Sequence, residues 1–375
     1  MVLAAGIMSG TSLDGIDVAI LDIVGSGLET EIKLLRFLSQ PMPIDMKAKI
    51  MKQCDPRSSR VDEICSLSVE LAELFAQVVQ DACQLEEIKS QDLTFVASHG
   101  QTIYHQPFAS DHLVASTLQI GNPAVLAERL GTIIVSDFRS RDMAVGGQGA
   151  PIVPYSEYLL YRQANRMVCL QNIGGIGNVT ILPAGGEMDA IQAFDTGPGN
   201  MMIDSLCQHF YQEAYDKGGA YAAKGTINQE LLERLKAHPY LKKALPKTTG
   251  REEFGQAYVE ELLFEFPFLK ANDFIATVTY FTAYCIGYHL QGIVEEGASL
   301  VVGGGGSYNE TLLNYLQQDL PNVVVCKQED IGYSSDAKEA IAMAVLGNQT
   351  LQGLAGNVPS ATGANKFVPL GSITY

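Results

Sequence analysis

Val2-Leu3-Ala4-Ala5-Gly6-Ile7-Met8, followed by Ser9-Gly10-Thr11-Ser12-Leu13-Asp14-Gly15 and then Ile16-Asp17-Val18-Ala19-Ile20-Leu21-Asp22-Ile23, reads as strand, polar turn, strand. Glycine at such a turn lets backbone N–H groups approach phosphate oxygens, because no Cβ intervenes. Thr11 and Ser12 add hydroxyl donors, and Asp14 or Asp17 can hold Mg²⁺ directly or through water. The plainer reading is a polar hairpin loop that needs glycine for its turn. A second pattern of the same kind runs from Met167 to Ile173, through Gly174-Gly175-Ile176-Gly177-Asn178, to Val179–Leu182. A third glycine run, Gly303-Gly304-Gly305-Gly306, follows a strand at Ser299 to Val302, where an adenine or phosphate can pack against bare backbone. Two glycine-rich hairpins suggest a duplicated fold with a nucleotide held between the copies.

A chain of 375 residues is long for one core and points to two domains. They are expected at 1–131, with about 348–375 packing back onto it, and at 132–347. Strands alternate with helices throughout, so the class is α/β. The net charge of −17 argues against a nucleic-acid backbone or an anionic membrane as partner. It does not exclude ATP, which needs only local positive groups and Mg²⁺. Seven cysteines form no CxxC pair, which fits a reducing cytosol. No basic region precedes the first apolar run, and no apolar stretch reaches the ~18 residues of a membrane span, so a cytoplasmic location is expected. A homodimer stays open.

Further along, Ile32 to Phe37 reads as a third strand. Val61, Ile64, Leu67, Leu71, Leu74 and Val78 recur at helical spacing, with Ser59 as the expected N-cap. Strands are expected at Leu93 to Ala97 (ending in Ser98-His99-Gly100-Gln101-Thr102), Thr132 to Phe138 and Ile191 to Phe194. Helices are expected at Pro123 to Leu130, Ile152 to Tyr161, Met201 to Tyr211, Asn228 to Lys236, Phe274 to Val294 and Ala337 to Leu346, with another from about Glu310. The tail from Gly353 has no clear pattern.

Asp195 ends a strand and precedes Gly197-Pro198-Gly199 and a helix. A carboxylate projecting from a sheet edge there can take a proton from a hydroxyl or water nucleophile; capping the turn is the alternative. Arg139 and Arg141 follow a strand and suit a carboxylate or phosphate, or form a local salt-bridge cluster with Asp137 and Asp142. His99, His105 and His112 lack the spacing of a metal set, and His99 reads as a polar contact in a cleft. No GxxxxGK[ST], GxGxxG or GxSxG motif supports a Walker, Rossmann or serine-hydrolase site.

Taken in order, these segments resemble one family. Gly6 to Asp17, Ser98-His99-Gly100-Gln101-Thr102, Gln119-Ile120-Gly121-Asn122-Pro123, Asp137-Phe138-Arg139 with Arg141-Asp142, Gly146 to Pro151, Asn172-Ile173-Gly174-Gly175 with Asn178, and Phe194 to Asn200 are similar to the motifs of anhydro-N-acetylmuramic acid kinases. The resemblance runs from the N-terminus to at least Gly306.

It implies two RNase H-like domains of the acetate kinase/hexokinase/Hsp70/actin type flanking an active-site cleft. It also implies ATP against Gly10, Thr11, Ser12, Leu13, Asp14, Gly15, Ile16 and Asp17, the Gly174-Gly175 turn with Asn178, and Gly304-Gly305. Mg²⁺ is assigned to Asp14. The implied substrate is 1,6-anhydro-N-acetylmuramic acid, contacted by His99, Gln101, Asn122 and Arg139 or Arg141, with Asp195 as general base. A related kinase or phosphatase acting on another sugar, carboxylate or polyphosphate, and a nucleotide-switched actin-like protein, are the competing readings.

Overall fold

A computed structural model of the chain describes residues 2–245 and 247–375. Two compact units form: the chain up to Leu160 together with Asp336–Tyr375, and Tyr161–Ser335. The expected divisions at 131/132 and 347/348 fall elsewhere. Residues beyond 131 stay with the first unit because Ile133–Ser136 pairs with its sheet, and helix Lys338–Leu351 lies across that sheet.

In the first unit β1 (Val2–Ser9), β2 (Gly15–Val24) and β3 (Glu31–Pro41) form an antiparallel meander. β4 (Phe95–Gln106) then joins β1 in parallel, β5 (Ser116–Ile120) pairs β4 antiparallel, and β6 (Ile133–Ser136) joins β4 in parallel. Parallel pairing requires a crossover. Helix Val61–Leu85 precedes β4, and helix Pro123–Leu130 precedes β6. The crossover helix Val61–Leu85 buries Leu67, Leu71, Phe75 and Val78 against Ile7, Ile16, Val18 and Ile20 of the sheet. Each such side chain contributes roughly 1.5–3 kcal/mol.

The second unit repeats the plan. β7 (Val168–Ile173), β8 (Ile176–Leu182) and β9 (Gln192–Pro198) form the meander, β10 (Ser299–Gly303) joins β7 in parallel, and β11 (Val324–Lys327) joins β10 in parallel. The two sheets read β6-β4-β1-β2-β3 and β11-β10-β7-β8-β9, so the duplication suggested by two glycine hairpins holds for the whole strand order. The fold is α/β, two RNase H-like units of the acetate kinase/hexokinase/Hsp70/actin type.

Several local expectations are corrected. Ser59 is not the N-cap; Arg60 occupies that position, and Ser59 instead closes a turn on the Asp55 carbonyl at 2.9 Å. Val61, placed on the buried stripe, is exposed on the first turn. β4 does not end at Ala97 but continues through His99 and Gln101, because β5 pairs along it. The helix expected at 274–294 spans Ala271–Leu290 and stops before Gly292, whose φ is +80°. Helix Ile44–Cys54 was not anticipated, since its single buried row of Met46, Ile50 and Gln53 is short. The tail contributes the strand Ser372–Thr374, antiparallel to β6. No helix among the described residues is long and apolar enough to cross a membrane.

Candidate active site

The first turn is shaped by Leu13. Its φ is +58°, its N–H donates to the Gly10 carbonyl, and its side chain is buried in the core. Ile16 is buried as well, so only backbone at these two positions is available to a ligand. Thr11, Ser12 and Asp14 face outward. Gly10, Ser12, Asp14, Gly15 and Asp17, with Ser39, Pro41 and Glu339, line a pocket of about 280 Å³.

Glu339 was missed by the sequence reading. It belongs to the first turn of helix Lys338–Leu351, which crosses β1 so closely that a Cβ on Gly6 would lie 1.9 Å from the Ala340 carbonyl oxygen. Only this packing, remote in sequence, brings it to the turn. Burial raises the Asp17 carboxyl despite a hydrogen bond from Ser39, with Asp336 and Asp14 adding repulsion. Burial also raises Glu339; Lys338 and Arg139 oppose this, while Asp17 and Glu157 add to it. Although accessible to water from the pocket, Glu339 has protein packed closely round it. These are hard oxygen donors of the kind that suit Mg²⁺. Among the described residues no three His, Cys, Asp or Glu side chains converge tightly enough to form a metal site by themselves.

Behind this turn, Gln101 is fully buried. It accepts from Ser9 Oγ at 2.6 Å and donates to the Gly10 carbonyl at 3.3 Å. His99 is also buried: Nδ1 lies 2.9 Å from the Gly100 carbonyl, and Nε2 accepts from Arg139 Nε at 3.0 Å. The sequence reading assigned both side chains to the sugar. In the structure their polar atoms are engaged within the unit, so they reach a ligand only through the groups they support.

Arg139 Nη1 donates to the Gly149 carbonyl at 2.7 Å. With two N–H groups engaged, the guanidinium keeps three for a ligand. The Gly146–Pro151 loop is in turn fixed by buried Asp142, which accepts from Gly149 N at 2.8 Å, Asn357 Nδ2 at 2.9 Å and Thr362 Oγ1 at 2.8 Å. Arg141 is exposed. Asn122 caps helix Pro123–Leu130, its Oδ1 accepting from Ala124 N at 3.0 Å.

In the second unit the glycine segments converge. Gly199, Asn200 and Met201 donate their N–H groups to the carbonyls of Gly175, Gly174 and Gly175 at 2.9, 2.8 and 3.1 Å. Gly304 has φ +77°, and a Cβ there would fall 2.6 Å from Asn172 Oδ1. The fold therefore demands glycine at 304. It makes no such demand at Gly10, Gly174 or Gly305, where a Cβ would meet nothing nearer than 3.7, 3.8 and 3.6 Å. Open space above a turn glycine is what a phosphate needs for close approach.

Asn172, Asn178 and Asp195 are successive cross-strand partners on β7, β8 and β9. Directly paired positions share one face of a sheet, so they form a polar row. Asp195 is held at three atoms. Its N–H donates to the Lys247 carbonyl at 3.0 Å, its carbonyl accepts from the Tyr240 hydroxyl at 2.6 Å, and its Oδ2 accepts from Thr249 N at 2.9 Å. Burial pushes its carboxyl up to about 6; the Thr249 hydrogen bond opposes this and Glu252 adds to it. Such a group is ionised at neutral pH yet basic enough to accept a proton.

Comparison with known proteins places this geometry. The family model for anhydro-N-acetylmuramic acid kinase matches residues 2–375. The anhydro-N-acetylmuramic acid kinase of Clostridioides difficile (strain 630) is 48% identical over 374 residues, covering 99% of this chain and 98% of the relative. That of Bacillus cereus (strain AH187) is 48% identical over 376 residues, with the same coverage. Among solved structures, component A of the (R)-2-hydroxyglutaryl-CoA dehydratase of Acidaminococcus fermentans superposes with a TM-score of 0.48 at 11% identity, over 92% of this chain and 97% of that one. With the family model matched over residues 2–375, this chain belongs to the anhydro-N-acetylmuramic acid kinase family.

Proposed function

We propose that the chain is an ATP-dependent carbohydrate kinase. It opens 1,6-anhydro-N-acetylmuramic acid with water and phosphorylates O6, giving N-acetylmuramic acid 6-phosphate and ADP, in the cytoplasm and in the recycling of cell-wall peptidoglycan. The observation that carries this reading is 48% identity, over 99% of the chain, to relatives named for that kinase activity.

Asp195 accepts a proton from water as the water oxygen attacks the anomeric carbon. The bond from that carbon to O6 breaks, and O6 attacks the γ-phosphorus as ADP leaves. The Asp195 proton then passes to solvent. A carboxyl raised to about 6 supports the base role at neutral pH. What supports phosphate binding is, in the first unit, the open backbone at Gly10 with Thr11 and Ser12 beside it, and, in the second unit, the open backbone at Gly174 and Gly305 with Gly175, Gly304 and Asn178 beside it. Arg139 meets the lactyl carboxylate of the sugar with its remaining N–H groups, aimed by His99, and Arg141 and Asn122 complete the sugar contacts. Gln101 acts on the turn from behind.

Asp14 and Asp17 would hold Mg²⁺, with Glu339 facing them. When bound, the ion supplies neutralisation of phosphate charge, and Mg²⁺ commonly uses one or two carboxylates with phosphate oxygens and water.

The test is product analysis by mass spectrometry in ¹⁸O-labelled water with Mg-ATP and the anhydro sugar. A 6-phosphate labelled at the anomeric hydroxyl is expected. Absence of any sugar-dependent product would overturn the substrate.

A further inference from the structure

Lys247 is only 6% exposed. Its ammonium is met by carbonyl oxygens and an aromatic face: Nζ donates to Tyr240 O at 2.8 Å and Leu241 O at 3.3 Å, and lies 4.2 Å from the Tyr240 ring centroid. Taking an ammonium out of water is costly, and an uncharged side chain of the same length would fill the space without that cost. What the ammonium does is close a ring. It ties residues 240 and 241 to residue 247, and so fixes the Tyr240 hydroxyl relative to the Lys247 carbonyl and the Thr249 amide. Those are the three groups that hold Asp195.

We propose that Lys247 is a positioning residue that, through Tyr240 and Thr249, fixes the aim and the hydrogen bonding of the Asp195 carboxylate. The proposal rests on Asp195 being the general base. The charged and titratable groups round the pair are Glu252 and Tyr240 near Asp195, and Lys243, Glu253, Cys285 and His289 near Lys247.

Lys247→Met removes the clip and keeps the length. With Thr249 no longer held, the carboxylate loses a donor to its charged form and becomes harder to ionise. The expected result is a kcat at pH 7 lowered ~10-fold, an acid limb of the kcat profile moved up by about half a pH unit or more, and KM values for ATP and sugar within about twofold. Tyr240→Phe, which keeps the ring and removes the hydroxyl, is expected to move the limb in the same direction, and it carries the test if Lys247→Met does not fold. A purely structural role would lower the melting temperature and leave the limb in place. An unmoved limb in a folded variant, with kcat within twofold, overturns the proposal. Asp195→Asn run alongside separates the two readings. If it is inactive while the limb of Lys247→Met is unmoved, only the lysine proposal fails; if it turns over normally, the base assignment and the lysine proposal fail together.

Discussion

Arg139 Nε donates to His99 Nε2 at 3.0 Å, so the buried imidazole serves the arginine as a hydrogen-bond acceptor. The other ring nitrogen then carries the proton and donates to the Gly100 carbonyl. Burial, with Arg139 beside it, lowers the imidazole to about 3, so His99 is neutral throughout the physiological range and takes no part in proton transfer there.

That pairing has a stability consequence. Between about 3 and 6.5 the unfolded chain binds a proton at His99 that the folded chain refuses. The stabilisation is complete above the upper value and is lost as pH falls through this window, by up to about 1.4 kcal/mol per pH unit. His99→Gln offers an acceptor that does not titrate. The wild type is expected to lose more melting temperature than this variant between about pH 7.5 and pH 5. Equal losses would remove His99 from that role.

Asp195→Asn is expected to fold like the wild type and to lose turnover by ~10²–10⁴-fold, the range a positioned base supplies. In the wild type, kcat/KM is expected to fall as pH drops below about 6, where the carboxylate takes up a proton. Near-normal rates in the variant would remove Asp195 from the base role.

The sequence makes the opening hairpin of both units legible because the signals are local: an apolar run, a glycine turn and a second apolar run at 2–23, repeated at 167–182. Asp195 is legible from its glycine-rich neighbourhood, but its setting is not: β9 runs on through Pro198 along β8, so Asp195 lies inside the strand and not at its end. Glu339 is not, because the packing of helix Lys338–Leu351 over Gly6 joins segments at opposite ends of the chain. The buried state of His99 and Gln101 depends on β4 continuing past them between neighbouring strands, and a motif read as polar groups at the end of a strand conceals that. Lys247, in what reads as a polar loop, carries no local mark of burial.

Two glycines separate ligand approach from fold. Gly10→Val places its side chain in open space, where a Cβ meets nothing nearer than 3.7 Å, so the melting temperature should barely move. ATP affinity should fall at least ~10-fold, or about 1.4 kcal/mol, as measured by calorimetry. Gly304→Val meets both a φ of +77° and an oxygen at 2.6 Å, and should lower the melting temperature by several degrees, the left-handed backbone alone costing about 1–2 kcal/mol. Unchanged ATP affinity in the Gly10 variant would refute the phosphate role of the first turn.

Asp204, on helix Met201–Tyr211, gives the opposite sign to His99. Burial, with Asp216 nearby, pushes its carboxyl up to about 7 from 3.8. Asp216 is itself buried and committed, accepting from Tyr221 N at 2.8 Å and Ala222 N at 3.0 Å. Between 3.8 and about 7 the folded chain holds a proton at Asp204 that the unfolded chain has released. Stability therefore falls as pH rises through that window, and the cost is complete above it. Asp204→Asn removes a charge that the site disfavours. The variant should match the wild type in unfolding free energy near pH 4 and exceed it at pH 8 by on the order of 2 kcal/mol. A gain of the same size at both pH values would mean that shape or hydrogen bonding, and not ionisation, sets the stability at Asp204.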